Sequence, residues 1–280
     1  MSDISLSRFL ELHDLLAEQH PKSIDKAKGF AGSTIDPNSA MESEVWRILW
    51  DKPLFANARV KTAKGWRSSI KKEMKDSWRT WGEKPDEFDI RKDKPGRRSD
   101  CFVVRGDTAR SFVSRYTIPL HRLYAIQGAA KALCLRASTR HGRPPFDDLP
   151  GRPLPEVVDD LCDKFGWGWG RVTVLHALTD MGLAVKPDLH VTNTVRHLGL
   201  DSRDPLEINE HVVELLRELG KSGRDDIPKS IRYIDKVLME ISRKGTIGKS
   251  SDSLAEDILD VQRRLDRIEE RLGLSGDPAV

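Results

Sequence analysis

The residues best suited to chemistry lie within 161–200, LCDKFGWGWGRVTVLHALTDMGLAVKPDLHVTNTVRHLGL. A helix runs into the turn FGWGWG, and a second helix begins near Gly170. Gly166, Gly168 and Gly170 alternate through the turn, and glycine reaches backbone torsions closed to other residues. Such a turn leaves N–H groups pointing outward, and the N-terminus of the next helix adds positive potential there. The combination suits one phosphate and reads no base sequence. Arg171 adds charge at the same place. A glycine turn that only packs two helices is the bland alternative.

Downstream, Pro187 and Asp188 precede an amphipathic helix with Val191, Val195 and Leu198 inward. Aspartate after a loop is a common helix N-cap. A carboxylate at that position is favoured in its ionised form, so capping and a chemical role are compatible.

Together, Gly168-Trp169-Gly170-Arg171-Val172-Thr173 and Asp188-Leu189-His190-Val191 continuing through Val195, Leu198, Gly199 and Leu200 resemble the helix-hairpin-helix superfamily of DNA glycosylases. Endonuclease III and the mismatch adenine glycosylases belong to that superfamily. The likeness covers 161–200. It implies a mostly α, two-lobed fold and hydrolysis of the bond between a flipped-out base and its sugar. It also implies that Asp188 is the catalytic carboxylate, stabilising an oxocarbenium-like sugar and orienting the attacking water. Gly166, Gly168, Gly170, Arg171 and Thr173 become the DNA-binding hairpin. His190 becomes a support residue, hydrogen-bonded or packed. Of Trp167 and Trp169, one packs beneath the turn and the other touches DNA.

Two departures matter. Relatives that also cut the strand carry a lysine just before the motif threonine, where this chain has Val172. A monofunctional enzyme that leaves an abasic site is therefore expected, with double-stranded DNA as partner. Lys186 is a candidate for a displaced amine. Cys101, Cys134 and Cys162 cannot form the four-cysteine iron–sulfur site of some relatives; no cofactor and no metal is expected. A DNA-binding protein that kept the hairpin and lost the reaction, and a glycosylase with lyase activity, are the alternatives.

The elements that must position these groups read as almost all helix. Helical spacing covers 4–19, 41–50, 108–138 with a break or kink at Pro119, 155–165, 170–181, 189–198, 207–219 and 228–243; Cys101–Arg105 is the one short strand. Region 1–150 is expected to supply the base pocket and DNA surface, and 151–245 the hairpin and Asp188. The resemblance also implies that the N-terminal segment returns against the C-terminal half, making 1–245 one unit of two lobes. Residues 252–274 form a heptad helix, with Leu254, Ile258, Val261, Leu265, Ile268 and Leu272 spaced 4-3-4-3-4. It either pairs with its copy in a homodimer or packs back on the body.

Arg59, Lys61, Lys64, Arg67, Lys71, Lys72, Lys75 and Arg79 gather around Trp66, Trp78 and Trp81. Cations attract phosphate while aromatics stack or wedge, so 59–98 is expected to face DNA. Base specificity is expected from this half and from loop 139–155, with Phe146 and Arg143 as candidates. The unfamiliar N-terminal half points away from common repair lesions, towards a bulky modified base such as some phage DNA carries, and so towards anti-phage defence. The formal net charge is only +3, so clustering says more than the sum. With no secretion signal and no long apolar run, a cytoplasmic bacterial protein without a membrane span is expected.

Overall fold

A computed structural model describes residues 4–75, 77–96 and 98–247. The chain is mostly helical. In order come α1 (Leu6–Gln19), α2 (Pro21–Ala31), α3 (Glu42–Leu49), α4 (Lys52–Phe55), α5 (Val60–Met74) and α6 (Trp78–Glu83). Strands β1 (Asp89–Lys92) and β2 (Phe102–Arg105) follow, then α7 (Asp107–Arg115), α8 (Leu120–Thr139) and α9 (Leu154–Phe165). The last elements are α10 (Arg171–Asp180), α11 (Leu189–His197), α12 (Pro205–Lys221) and α13 (Ile231–Lys244). The heptad segment 252–274 lies outside the described residues.

The expected break in 108–138 is present: α7 stops at Arg115 with Tyr116 extended, and Pro119 is the N-cap from which α8 begins. The strand at 102–105 has a partner that the sequence does not advertise. β1 pairs with it antiparallel, Asp89 opposite Arg105 and Lys92 opposite Phe102. Segment 59–98 is no irregular basic surface. It contains α5 and α6, whose apolar positions Ala63, Ile70, Met74, Trp78 and Trp81 are buried.

Apolar side chains gather into two clusters. The first takes in residues between Ala40 and Ala184, among them Trp46, Ile70, Trp81, Leu133, Phe165 and Val174. The second joins Ile4, Phe9, Leu16 and Ala27 to Val185, Val195, Val212, Tyr233 and Ile241. The amino-terminal helices thus return against the carboxy-terminal ones, and Ser5 N donates to Leu198 O at 3.1 Å. The core divides between residues 31 and 35 and between 184 and 185, so α9 and α10 pack with residues 35–150, whereas α1 and α2 pack with α11–α13. The second crossing point falls immediately before Lys186 and Asp188.

A seam of charge links α4, α10 and α13. Lys52 contacts Asp180 and lies 3.5 Å from Asp51; Arg67 reaches Asp51 at 2.8 Å. Arg232 also grips Asp180 and approaches Asp235 at 3.8 Å, while Lys236 lies 3.2 Å from Asp235. Buried ions persist only when paired and hydrogen-bonded, so these three elements are constrained relative to one another. Among the described residues, no helix is long and apolar enough to cross a membrane.

Candidate active-site groove

The turn between α9 and α10 owes its shape to two glycines. Gly166 sits at φ 73° and Gly168 at φ 95°, both in the left-handed region. A Cβ on Gly168 would lie 2.6 Å from the Ala125 Cβ, so the turn also needs glycine there for close approach to α8. Gly170 differs from the expectation that all three use special torsions. It is the α10 N-cap at φ −82°, ψ 168°, open to any residue, with empty space where a side chain would go. Gly170 O accepts from Thr173 N at 2.9 Å and Val174 N at 3.1 Å. Among the described residues, Arg171 N and Val172 N have no backbone acceptor, as befits the first turn of a helix.

The two tryptophans of the turn divide their work. Trp169 is buried and its indole N–H donates to Ala125 O at 2.7 Å, stapling the turn onto α8. Trp167 is half-buried against Phe102, with ring centroids 5.5 Å apart, and the Lys92 ammonium lies 5.0 Å from its ring centre. The β1–β2 ribbon therefore braces the turn from the side.

Beside the turn lies a groove of about 870 Å³. Gly166 to Thr173 and His176 form one wall; Pro53, Phe55, Ala56, Asn57, His121, Arg122 and Ala125 form another, and Lys52 and Lys186 complete it. Arg122 is buried and fixes the 53–57 rim. Its Nη1 donates to the carbonyls of Pro53, Leu54 and Ala56 at 2.6, 3.0 and 2.7 Å.

Asp188 is the N-cap of α11, accepting from His190 N at 3.0 Å and Val191 N at 3.2 Å through Oδ1. Its other oxygen, Oδ2, is 3.9 Å from Lys186 Nζ. Asp188 does not itself line the groove; its tie to it is this approach to Lys186, which does. The segment is held by side chains from two other helices. Asn209 on α12 accepts from Val185 N at 2.7 Å and donates to Val185 O at 3.2 Å. Asp235 on α13 accepts from Lys186 N at 2.9 Å. Asp188 N closes the turn on Lys186 O at 2.7 Å.

Burial, reinforced by Lys236 and Lys52, lowers the Lys186 ammonium below the ordinary lysine range, and Asp188 and Asp235 oppose the shift. Burial likewise holds His176 well below the ordinary histidine range, with Lys52, Lys186, Lys236 and Arg232 adding to the effect. His176 is therefore a neutral imidazole at neutral pH.

Of the expected site residues, Gly166, Trp167, Gly168, Trp169, Gly170, Arg171 and Thr173 line the groove; Asp188 does not, and lies 3.9 Å from Lys186 Nζ, which does. Arg171 is half-exposed and pairs with Asp159 at 3.1 Å. His190 faces away; its Nδ1 lies 3.2 Å from Ser242 Oγ on α13. Phe146 needs correction. It is fully buried against Phe165 with the Arg136 guanidinium over its ring, a core position with no access to the groove. Arg143 is exposed and paired with Asp147 at 2.7 Å, so loop 139–155 is tied down by ion pairs away from the groove. Trp78 and Trp81 are likewise core side chains and cannot wedge into DNA; Trp81 stacks on Phe88. The cations of α5 do face solvent.

Lys52, Arg122, His176, Asn209 and Asp235 were not legible as site residues. The available signal was a polar side chain on the inward face of an amphipathic helix, as with Asp235 between Ile234 and Leu238. No protein-family model, curated protein or solved structure matches the chain.

Proposed function

We propose that this chain is a monofunctional DNA glycosylase of the helix-hairpin-helix type, hydrolysing the N-glycosidic bond of an extruded base to leave an abasic site. One observation carries the proposal: Lys186 lines the same groove that the 166–170 turn walls, and its Nζ lies 3.9 Å from the Asp188 carboxylate. In that reading the free N–H groups at the start of α10 hold a phosphate of double-stranded DNA. The sugar of the flipped nucleotide then lies beside Asp188, whose carboxylate stabilises the developing positive charge and orients water towards C1′. No metal or cofactor takes part.

The groove lies within the roughly 300–1,000 Å³ range of pockets that hold drug-sized ligands. That size supports a bulky modified base, of the kind some phage DNA carries, and with it a role in anti-phage defence inside a bacterial cell.

Two measurements test the proposal. Mass spectrometry of bases released from several genomic DNAs, heavily modified phage DNA included, identifies the substrate. Asp188→Asn keeps the α11 cap, because asparagine caps as well as aspartate. It is expected to lower base release by 10²-fold or more while duplex binding stays within severalfold. Base release at the wild-type rate would exclude Asp188 as the catalytic carboxylate. A wild-type protein that binds DNA and releases no base from any of these DNAs would be a binding protein.

A further inference from the structure

Resting on the glycosylase reading, we infer that Lys186 is a catalytic residue, the proton donor to the departing base, working as a pair with Asp188. Breaking the C1′–N bond leaves an electron pair on the base. Asp188 assists the sugar side of that bond and gives the base nothing. The base side needs a proton.

Among the described residues that line the groove, the titratable groups are Lys52, His121, Arg122, Arg171, His176 and Lys186; no carboxyl group is among them. Arg122 and Arg171 are guanidiniums, which do not release protons in proteins. Lys52 is held by Asp51 and Asp180. His121, edge-on to Trp167 beside the glycine turn, is the competing donor; a loss of rate on His121→Gln with Lys186→Met unimpaired would assign the role to it instead. His176 is already neutral and has no imidazolium proton to give.

Lys186 is different. It is half-buried, it lines the groove, and its Nζ is 3.9 Å from Asp188 Oδ2. That separation is beyond hydrogen-bond length, so the carboxylate does not hold the ammonium N–H groups. The charges bearing on it come from its own turn and two helices, Asp188 beside it, Asp235 and Lys236 on α13 and Lys52 on α4, while the titratable His176 on α10 faces it uncharged. Lys236, Lys52 and burial favour the neutral amine. This moves the ammonium towards the acidity that suits proton transfer near neutral pH. Asn209 and Asp235 hold the backbone of the turn, fixing amine and carboxylate relative to each other.

The step balances without any further reactant. The C1′–N bond breaks and its electron pair goes to the base, which takes a proton from Lys186 Nζ. A water oxygen bonds to C1′ and its proton goes to the Asp188 carboxylate. Transfer of that proton from Asp188 to the neutral Lys186 amine restores both groups. One water is consumed; the free base and the abasic sugar are released.

The test uses the full chain and single-turnover base release from heavily modified phage DNA across pH, with affinity for a duplex carrying a tetrahydrofuran abasic analogue as the binding control. Lys186→Met is expected to lose 10²–10⁴-fold in rate, the size of a general-acid contribution. It is also expected to abolish the fall in wild-type rate at alkaline pH, with the analogue bound within about threefold. Lys186→Arg keeps the charge and guards against a folding defect in the methionine variant. It stays equally slow, because a guanidinium has no proton to give. Full rescue by arginine would overturn the role, making Lys186 an electrostatic support. Borohydride capture of a Lys186-dependent covalent adduct would overturn it too, making the amine a nucleophile. Base release by the wild type with an unimpaired methionine variant removes this role alone. No release by the wild type from any DNA removes the glycosylase reading and this role together.

Discussion

The two sides of the groove are built on opposite plans. The 166–170 turn is shaped by its own residues, two glycines at positive φ and a tryptophan stapled beneath, and it presents backbone. The Lys186–Asp188 turn has no unusual torsion and presents side chains. It is held by Asn209, 24 residues away from Val185, and by Asp235, 49 residues away from Lys186. A surface that grips a repeating phosphate needs only amide groups at a fixed spacing, and local chemistry supplies that. A reactive amine and carboxylate need a defined separation, and only a rigid surround maintains one. The first plan is fragile where a Cβ is added. The second is fragile at residues that never touch the substrate.

The largest effect is therefore expected from Asp235→Ala. Asp235 is 2% exposed and faces Arg232 and Lys236. Removing it leaves Lys186 N without its acceptor and two cations without this carboxylate. Breaking a buried charge pair by deleting one partner costs about 3–5 kcal/mol, so urea unfolding is expected to show a loss of that order. Base release by the fraction still folded is expected to fall as well, because the Lys186–Asp188 turn is no longer held. A loss below about 1 kcal/mol would mean that the turn does not depend on its distant support.

The glycines give the next contrast. Gly168→Ala places a Cβ 2.6 Å from Ala125 at φ 95°. A non-glycine residue in such a region costs of order 1–3 kcal/mol, and the thermal midpoint is expected to drop accordingly. At Gly170 an added Cβ meets nothing within 4 Å and the torsions are ordinary, so Gly170→Leu starts without strain. It is expected to cost no more than about 1 kcal/mol for a poorer cap while filling the space beside the free amides. Duplex binding, measured by fluorescence anisotropy, is expected to weaken about tenfold. If Gly170→Leu bound DNA normally, the turn would be a packing device.

These differences explain what the sequence could disclose. α9, α10 and α11 are legible because their apolar residues recur at helical spacing and their ends carry Gly166, Gly170 and Asp188. Helix α5 is obscured by Gly65, Ser68 and Ser69 and by its many lysines, which suggest a loop until Ala63, Ile70 and Met74 are seen to share a buried face. β1 is four residues long and three of them are charged; its pairing with β2 makes it a strand. Phe146 misleads because a Pro- and Gly-rich loop implies exposure, whereas the ion pairs of Arg136 and Arg140 with Asp147 and Asp148 fold that loop down onto the core. In the groove, the motif residues were legible. Lys52, Arg122 and Asp235 were not, because their roles arise from contacts between segments far apart in the chain.

The smallest effect concerns His176 and bears on which group in the groove can give a proton. An unfolded histidine titrates near pH 6.5, whereas folded His176 titrates well below that value. Its contribution to stability is thus complete above pH 6.5 and is lost as pH falls towards its folded value. Each such histidine steepens the decline by about 1.4 kcal/mol per pH unit in that window. His13 acts in the same direction, because burial lowers it despite Asp14 beside it. Wild-type stability is expected to fall by about 1 kcal/mol or more between pH 6.5 and 5.5, and His176→Gln is expected to remove part of the slope. A wild type equally stable across this range, with His176→Gln unchanged, would mean that the imidazole takes up its proton in the folded state. His176 would then compete with Lys186 as the acid, and the pH profiles of the two variants would decide between them.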